Sequence, residues 1–280
     1  MSGTNTPSYK VTAVDLGTMR VDQANMLYEY NYGEKIDIHA FAAAIEGNGV
    51  KILVDTGVRD PEWVSEVMVP SWIDKEQELD YALGEIGWSP KDVDIVINTH
   101  LHHDHCANNV KFPNAEFVVS AIEWDYCQNP IFTQQVLYRN YWLTGGLSPW
   151  RYRIVSDDYY EVLPGIRLIK TPGHTPGHVA VLINTDEGTV CATGDSANSL
   201  LNFSRGLAPA GHTSVPAALA SLEKIRANAD RLLMSHDLNL QRWQSSGFPL
   251  VPEREQGVGP AVPAWPYPAT EWPATTAARP

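Results

Sequence analysis

The alternation of apolar runs with turn residues predicts several short β-strands. Two apolar runs, Phe41–Ile45 and Lys51–Val54, flank Glu46-Gly47-Asn48-Gly49, an arrangement that indicates a β-hairpin. A similar hairpin is predicted around the turn at 184–188, so the chain carries two related β-rich units. The predicted strands are Val11–Val14, Phe41–Ile45, Lys51–Val54, Asp94–Asn98, Ile166–Lys170, Val179–Ile183, Thr189–Thr193 and Arg231–Met234.

Two segments have the spacing of amphipathic helices. Within Glu76–Ile86, the apolar side chains Leu79 and Leu83 lie on one side, and a glycine ends the pattern. Pro216–Ala227 is the second predicted helix. Because strands and helices alternate along the chain, the predicted fold class is α/β or α+β with short strands.

The character of the chain changes after about residue 247. Proline recurs from Pro249 onward, and such a segment cannot form a regular core. We therefore predict a folded domain at 1–248 and a Pro-rich C-terminal tail or arm at 249–280, which contains Trp265 and Trp272. Two interpretations stay open for this tail. It is either a loose terminus or an arm packed on its own or a neighbouring subunit, which is compatible with a homodimer.

The composition argues against several classes of function. A net charge of −13 over 280 residues argues against a surface that binds nucleic acid. No apolar run approaches the roughly 20 residues of a membrane span, and the N-terminus lacks the pattern of a signal peptide. The three cysteines form no CxxC pair, which favours a reducing compartment. We expect a cytoplasmic protein whose partner is a small molecule, without nucleic acid or membrane.

The densest candidate for chemistry follows the apolar run at 93–97. Residues 99–105 read Thr-His-Leu-His-His-Asp-His. Imidazole and carboxylate groups at this density suit zinc or iron and are hard to explain by packing. The candidate ligands in this segment are His100, His102, Asp104 and His105.

Three more candidate ligands, His174, Asp195 and His236, each follow another predicted strand. Ligands at the ends of strands that are distant in sequence form a site only in the folded protein. His100 and His102 are two residues apart, so an extended segment directs both imidazoles to the same side. Seven groups are too many for one tetrahedral zinc, and they indicate a dinuclear site in which a carboxylate bridges two metals.

These motifs together resemble the metallo-β-lactamase superfamily. Residues 100–105 match its HxHxDH motif, and the resemblance extends over roughly residues 10–245. It implies an αββα sandwich of two mixed β-sheets flanked by helices, with the metals at one edge between the sheets. The other matching landmarks are Val54-Asp55-Thr56-Gly57, Thr171-Pro172-Gly173-His174, Gly194-Asp195 and Ser235-His236-Asp237.

The resemblance also implies a role for each of the seven ligands. Both metals are expected to be divalent, with Zn²⁺ as the expected ion, and Asp104 and Asp195 are the expected catalytic carboxylates. Asp104 is expected to shuttle a proton to the leaving oxygen in addition to its role as a ligand. The first metal would be held by His100, His102 and His174, the second by Asp104, His105 and His236, and Asp195 would bridge the two.

Other polar residues near these motifs are expected to have supporting roles. His178 matches a position that supports the fold or the ligands, and Asp55 is expected to orient the loop near the site. We expect His39, His103 and His212 to be structural or surface residues.

Two metals about 3.5–4 Å apart activate a water and polarise a carbonyl, so a metal-dependent hydrolase is predicted. Within the superfamily the chain most resembles the N-acyl homoserine lactonases and their pyridoxolactonase-like relatives, through its length and residues 78–81 and 171–178. The resemblance implies a lactonase that opens its ring by attack of a metal-bridging hydroxide, with a role in quorum quenching. The alternatives are a thioesterase of the glyoxalase II kind, a cyclic amide hydrolase, an iron-dependent oxidoreductase and a non-catalytic binding module.

One departure from the related lactonases affects the expected substrate. They place a tyrosine three residues after the bridging aspartate, whereas this chain has Asn198 there. Asparagine can donate a hydrogen bond to a substrate carbonyl, but it cannot act as a phenolic acid. Asn198 is therefore a candidate substrate-binding residue.

An aromatic-rich stretch at 124–160 is either a satellite core or the wall of an apolar pocket. As a pocket wall it would favour an apolar or aromatic substrate. The segment at 26–32 is a second candidate for this wall, with one face of a β-hairpin as the alternative. The substrate-binding candidates in the aromatic stretch are Trp124, Tyr141 and Trp142.

Overall fold

The computed structural model describes residues 6–138, 152–237 and 247–255. Tyr141 and Trp142 lie outside the described residues, as does the tail from 256 onward. The strands are β1 (Lys10–Asp22), β2 (Lys35–Gly47), β3 (Val50–Val54), β4 (Ser71–Trp72), β5 (Ile95–Ile97), β6 (Glu116–Ser120), β7 (Tyr152–Val155), β8 (Tyr159–Leu163), β9 (Ile166–Lys170), β10 (Val179–Thr185), β11 (Gly188–Ala192) and β12 (Arg231–Leu233). The α-helices are α1 (Pro61–Val67), α2 (Leu79–Glu85), α3 (His103–Cys106), α4 (Ala121–Tyr126), α5 (Leu200–Arg205) and α6 (Val215–Arg226).

The strands form two mixed sheets. The seven-stranded sheet has the order β4-β1-β2-β3-β5-β6-β7, and the five-stranded sheet has the order β12-β11-β10-β9-β8. In the first sheet, β3, β5, β6 and β7 run parallel and the remaining pairs are antiparallel. In the second, only β11 and β12 pair in parallel.

The sheets pack face to face, and helices cover their outer faces. Because successive side chains of a strand point to opposite sides, Ile52 and Val54 of β3 enter the core between the sheets, while Leu53 packs in an outer layer with Leu83 of α2. On the other side, Leu182 of β10 belongs to an apolar cluster with residues of α5 and α6. This arrangement confirms the predicted αββα sandwich.

The first predicted hairpin forms as expected. β2 and β3 pair from Ala43 opposite Val54 to Gly47 opposite Val50. The turn residues Asn48 and Gly49 have φ angles of 55° and 79°, as a type I′ turn requires.

The first strand is much longer than the apolar pattern at 11–14 predicts. The pairing of β1 with β2 shifts register between Asp15 and Thr18, and Gly17 has a φ of 139°. A β-bulge at this point bends the strand without ending it. Because Asp15, Gly17 and Thr18 interrupt the apolar pattern, the sequence places the end of the strand too early.

The first residues of the predicted tail pack on the same chain. The backbone of Leu232 in β12 donates a hydrogen bond to Pro249 (2.9 Å), and the backbone of Val251 donates one to Asp230 (3.0 Å). Phe248 belongs to the core between the sheets. The boundary at residue 248 stays a prediction.

Among the described residues, the helices are all too short or too polar to cross a membrane.

Two glycines with similar φ angles allow a test of how tightly the β3 end packs. A Cβ on Gly57 (φ 73°) would lie 2.2 Å from the Cβ of Leu16, whereas a Cβ on Gly49 (φ 79°) meets no heavy atom within 4 Å. We expect Gly49→Ala to lower the free energy of unfolding by about 1–2 kcal/mol because of its positive φ. Gly57→Ala should lower it by about 1–3 kcal/mol more, because of the overlap. Urea unfolding of both variants measures the difference, and equal losses would contradict this packing.

Candidate metal centre

The candidate ligands lie in loops that follow the carboxyl ends of strands. β3 and β5 run parallel and end next to each other, so Asp55 meets the histidine-rich segment after β5. β11 and β12 are also parallel, which brings Asp195 close to His236. Two backbone hydrogen bonds of 2.9 Å join the sheets at this edge, from Val179 to Thr99 and from Phe41 to Ser235. The ligand loops are thus fixed to both sheets.

One group of donor atoms comes from His100, His102 and His174. Nδ1 of His102 lies 2.9 Å from Nε2 of His100 and 3.0 Å from Nε2 of His174. These three residues form a buried cluster able to hold a metal ion. We call them the first ligand group.

A second group lies beside it and contains Asp104, His105 and His236. Oδ2 of Asp104 is 3.6 Å from Nε2 of His105 and 3.5 Å from Nε2 of His236. We call these residues the second ligand group.

Asp195 lies between the two groups. Its Oδ1 is 3.2 Å from Nε2 of both His105 and His236, and its Oδ2 is 3.4 Å from Nε2 of His174. Each carboxylate oxygen therefore faces a different group. This is the arrangement expected of a carboxylate that bridges two metals.

The chemistry of the donors fits divalent metal ions. Nε2 of His105 and Oδ1 of Asp195 are buried and have no hydrogen-bond partner, although buried polar atoms in proteins nearly always have one. Burial holds the pKa of His100 and His102 well below the ordinary value, which leaves both imidazoles neutral, as ligands must be. Burial disfavours the Asp195 carboxylate, but His236 and the other nearby histidines outweigh it and hold its pKa well below the usual range.

Asp55, which the sequence predicts to orient the loop near the site, holds the His105 side chain in position. Its Oδ2 accepts a hydrogen bond from Nδ1 of His105 (2.8 Å), which turns Nε2 of His105 toward the donors. The backbone N–H and the hydroxyl of Thr99 also donate to this carboxylate, both at 2.8 Å. Asp55 has a φ of 62°, so its backbone is held in an unfavourable conformation at this position.

Two further histidines, His178 and His39, hydrogen-bond to residues of the candidate ligand set. The backbone N–H of Asp195 donates to Nε2 of His178 (3.0 Å), and the whole His178 ring is buried. Nδ1 of His236 donates to the backbone oxygen of His39 (2.6 Å), so its Nε2 faces Asp195. The structure thus places both histidines in contact with ligands rather than among them.

A cavity of about 550 Å³ opens above the donor atoms. Asp104, Asp195 and His236 are among the donor residues that line it, and His103 and His212 line it as well. The remaining wall is largely apolar. Its apolar residues include Met19, Val21, Met26, Ile38, Met68 and Val69.

The structure favours the satellite-core alternative for Trp124. Its ring packs at 4.8 Å from that of Tyr152, in a satellite cluster with Leu101 and Cys127, and it does not line the cavity. Tyr126, Tyr138 and Tyr152 belong to the same cluster, whereas Phe132 and Tyr159 are exposed. The second candidate segment does contribute to the wall, through Met26, Tyr28 and Tyr32.

Asn198 lines the cavity, but its amide already has a structural contact. Nδ2 donates to the backbone oxygen of Met26 (3.2 Å), while Oδ1 is buried without a hydrogen-bond partner. The residue therefore ties the segment that carries Met26 to the loop after β11.

Sequence reasoning missed most of the apolar cavity wall. Met19 and Ile38 lie on β1 and β2, where an apolar residue has the same appearance whether it packs in the core or lines a cavity. Gln134, whose Nε2 donates to the backbone oxygen of His174 (3.0 Å), carried no sequence signal either.

Comparison with known proteins identifies the family of the chain. The chain matches the family model of the metallo-beta-lactamase superfamily over residues 38–236. An N-acyl homoserine lactonase of a Bacillus species is 28% identical over 248 residues, which cover 83% of this chain and 95% of that protein. An N-acyl homoserine lactonase of Rhizobium radiobacter is 29% identical over 195 residues, covering 66% of this chain and 71% of that protein.

Solved structures share the fold. That of an N-acyl homoserine lactone hydrolase with N-hexanoyl-L-homoserine bound at its catalytic metal centre has a TM-score of 0.71 at 23% identity, and the match covers 85% of this chain and 96% of that one. The dizinc quorum-quenching lactonase AidC gives a TM-score of 0.65 at 18% identity, with 84% and 92% covered. Because the family model spans well over half of its length, the chain belongs to the metallo-beta-lactamase superfamily.

Proposed function

We propose that the protein is a metal-dependent lactonase that opens the ring of a small lactone with an apolar acyl substituent. The observation that carries the proposal is the composition of the cavity. Donor atoms able to hold two metals lie on one side, and an apolar wall that includes Met19, Met26 and Met68 completes it. The two relatives named above are N-acyl homoserine lactonases, which supports the same reaction.

The two ligand groups, joined by Asp195, would hold two divalent metals. We propose Zn²⁺, because neutral imidazoles and carboxylates are ligands that zinc accepts. When bound, the metals would supply Lewis acidity toward the lactone carbonyl and acidify a nearby water.

Asp104 is the proposed proton carrier. Its side chain is 11% exposed and lines the cavity, so one carboxylate face can approach a substrate. The carboxylate would take the proton released when water adds to the carbonyl and deliver it to the ring oxygen as the carbon–oxygen bond breaks. The two oxygens of Asp195 face histidines of different groups, so its proposed role is to hold the two groups together.

The apolar wall sets the proposed orientation of the substrate. The lactone ring would lie against Asp104 and His174, and the acyl chain would extend over Met26 and Met68. Asn198 contributes by holding the Met26 segment through its amide. The methionine side chains are flexible and can adapt to chains of different lengths.

The substrate proposal predicts a dependence on acyl length. We expect kcat/KM for N-acyl homoserine lactones to rise from butanoyl to decanoyl by up to about fourfold per methylene, because each buried methylene is worth about 0.8 kcal/mol. A pH-indicator assay on purified, metal-quantified protein measures this. Thioesters and cyclic amides serve as comparison substrates. The metal content and the visible spectrum distinguish a zinc lactonase, which is colourless, from an iron oxidoreductase. Failure to open any lactone at high enzyme concentration would refute it.

The proton-transfer role predicts the effect of Asp104→Asn. The amide keeps an oxygen ligand but cannot carry the proton, so kcat should fall by about 100-fold or more while the protein stays folded. Metal content must be measured on the same sample. Unchanged turnover with both metals retained would remove Asp104 from the reaction.

The contact between Asp55 and His105 predicts a selective loss of metal. In Asp55→Asn, the amide cannot accept hydrogen bonds at both ends, so either Thr99 or His105 loses its partner. Asparagine tolerates the positive φ, so the backbone is kept. We expect the affinity for one of the two metals to fall by about 10–100-fold, as measured by zinc retention against a chelator. Equal weakening of both metals would argue against a role specific to His105.

A further inference from the structure

A buried carboxylate outside the ligand set lies behind the metal centre. Glu123 is in α4, directly after β6, and none of its surface is exposed to solvent. A buried carboxylate is costly unless its oxygens receive hydrogen bonds. Burial raises the pKa of Glu123, and hydrogen bonds from Thr175 and Tyr138 oppose that rise.

Hydrogen bonds reach this carboxylate from three segments of the chain. Oε1 accepts from the backbone N–H of Leu101 (3.0 Å) and from the hydroxyl of Tyr138 (2.6 Å). Oε2 accepts from the hydroxyl of Thr175 (2.6 Å). All three groups can act as donors, and the N–H of Leu101 cannot act otherwise.

Each partner of Glu123 is linked to the first ligand group. Leu101 lies between His100 and His102 in the sequence, and Thr175 directly follows His174. The ring of Tyr138 packs edge-on against the ring of His102, with centroids 4.7 Å apart. In the second group, Asp55 hydrogen-bonds to His105 and the backbone oxygen of His39 to His236. Asp55 reaches the first group only through Thr99, whose hydroxyl lies 3.1 Å from Nδ1 of His100.

Close packing prevents Glu123 from shifting away. A Cβ on Gly177 would lie 2.0 Å from the backbone nitrogen of Glu123, so α4 and the loop after His174 are in direct backbone contact. Gln134 makes a further link between this region and the same loop, through the backbone oxygen of His174.

We propose that Glu123 is a positioning residue for the first ligand group, which holds the loop of His100 and His102 in register with the loop of His174. The proposal rests on the metal centre of the proposed function. It assigns Glu123 to the first group alone, whereas Asp55 contacts His105 of the second group directly and the first group only through Thr99.

The test is Glu123→Gln in the full-length, metal-loaded protein. The amide has the same shape, but it cannot accept hydrogen bonds on both sides, so the N–H of Leu101 or the hydroxyl of Thr175 must rearrange. We expect dialysis against graded zinc chelator to show one of the two zinc ions bound about 10–100-fold more weakly, and the other unchanged.

Ligand variants identify which zinc is affected. His174→Ala removes a ligand from the first group, so adding Glu123→Gln to it should cause little further loss of zinc. His236→Ala removes a ligand from the second group, and there Glu123→Gln should keep its full effect. The opposite pattern would place the influence of Glu123 on the second group and overturn the proposal.

Glu116→Gln is the matched control. It is the same substitution on neighbouring β6, where the carboxylate pairs with Arg153 at the surface, and zinc retention should not change. A Glu123→Gln variant with a lower melting temperature but wild-type affinity for both zinc ions would show a merely structural role and overturn the proposal. Equal weakening of both ions would do the same.

If Glu123→Gln does not fold, Tyr138→Phe and Thr175→Val each remove one hydrogen bond. Each should weaken the same single zinc by a smaller factor, and no change in either variant would overturn the proposal. Zinc retention involves no substrate, so failure of lactone hydrolysis would refute the proposed function without affecting this result.

Discussion

The candidate metal centre of this protein depends on how the fold holds the Asp195 carboxylate among imidazoles. Buried nitrogen and oxygen atoms converge there at 3.2–3.4 Å, and several have no hydrogen-bond partner within the protein. An unpartnered buried polar atom costs about 1–3 kcal/mol, so these atoms stay together only because the surrounding fold holds them. The two sheets provide that restraint, since the loops of Thr99 and Ser235 each hydrogen-bond to the backbone of the opposite sheet.

That restraint explains why the donor set could be predicted from the sequence. The histidine-rich segment and the residues after the later strands are short-range signals, and a sandwich whose parallel strands end together gathers them at one edge. The hairpin at Asn48 and Gly49 could also be predicted, because a two-residue turn of this type needs two positive φ angles, which asparagine and glycine adopt readily. At these positions, a few neighbouring residues determine both the chemistry and the backbone geometry.

Other parts of the molecule left no such local signal. The bulge at Gly17 extends β1 beyond the point where the apolar pattern stops, and it thereby brings Met19 to the cavity. Trp124 was open to two interpretations, because an aromatic residue that fills a satellite cluster has the same sequence appearance as one that lines a pocket. Which face a side chain takes is decided by tertiary packing, and a single sequence does not contain it.

The residues that support the ligands also differ in whether the local sequence predicts their role. Asp55 comes directly after a strand and within a recognisable motif, so its role could be anticipated. Glu123 is separated from Thr175 by 52 residues, and its hydrogen-bond donors meet only when α4 packs against the loop after His174. A buried carboxylate that receives hydrogen bonds from both loops of one ligand group restricts their relative movement. The spacing of the first group thus depends on a residue whose importance is visible only in the fold.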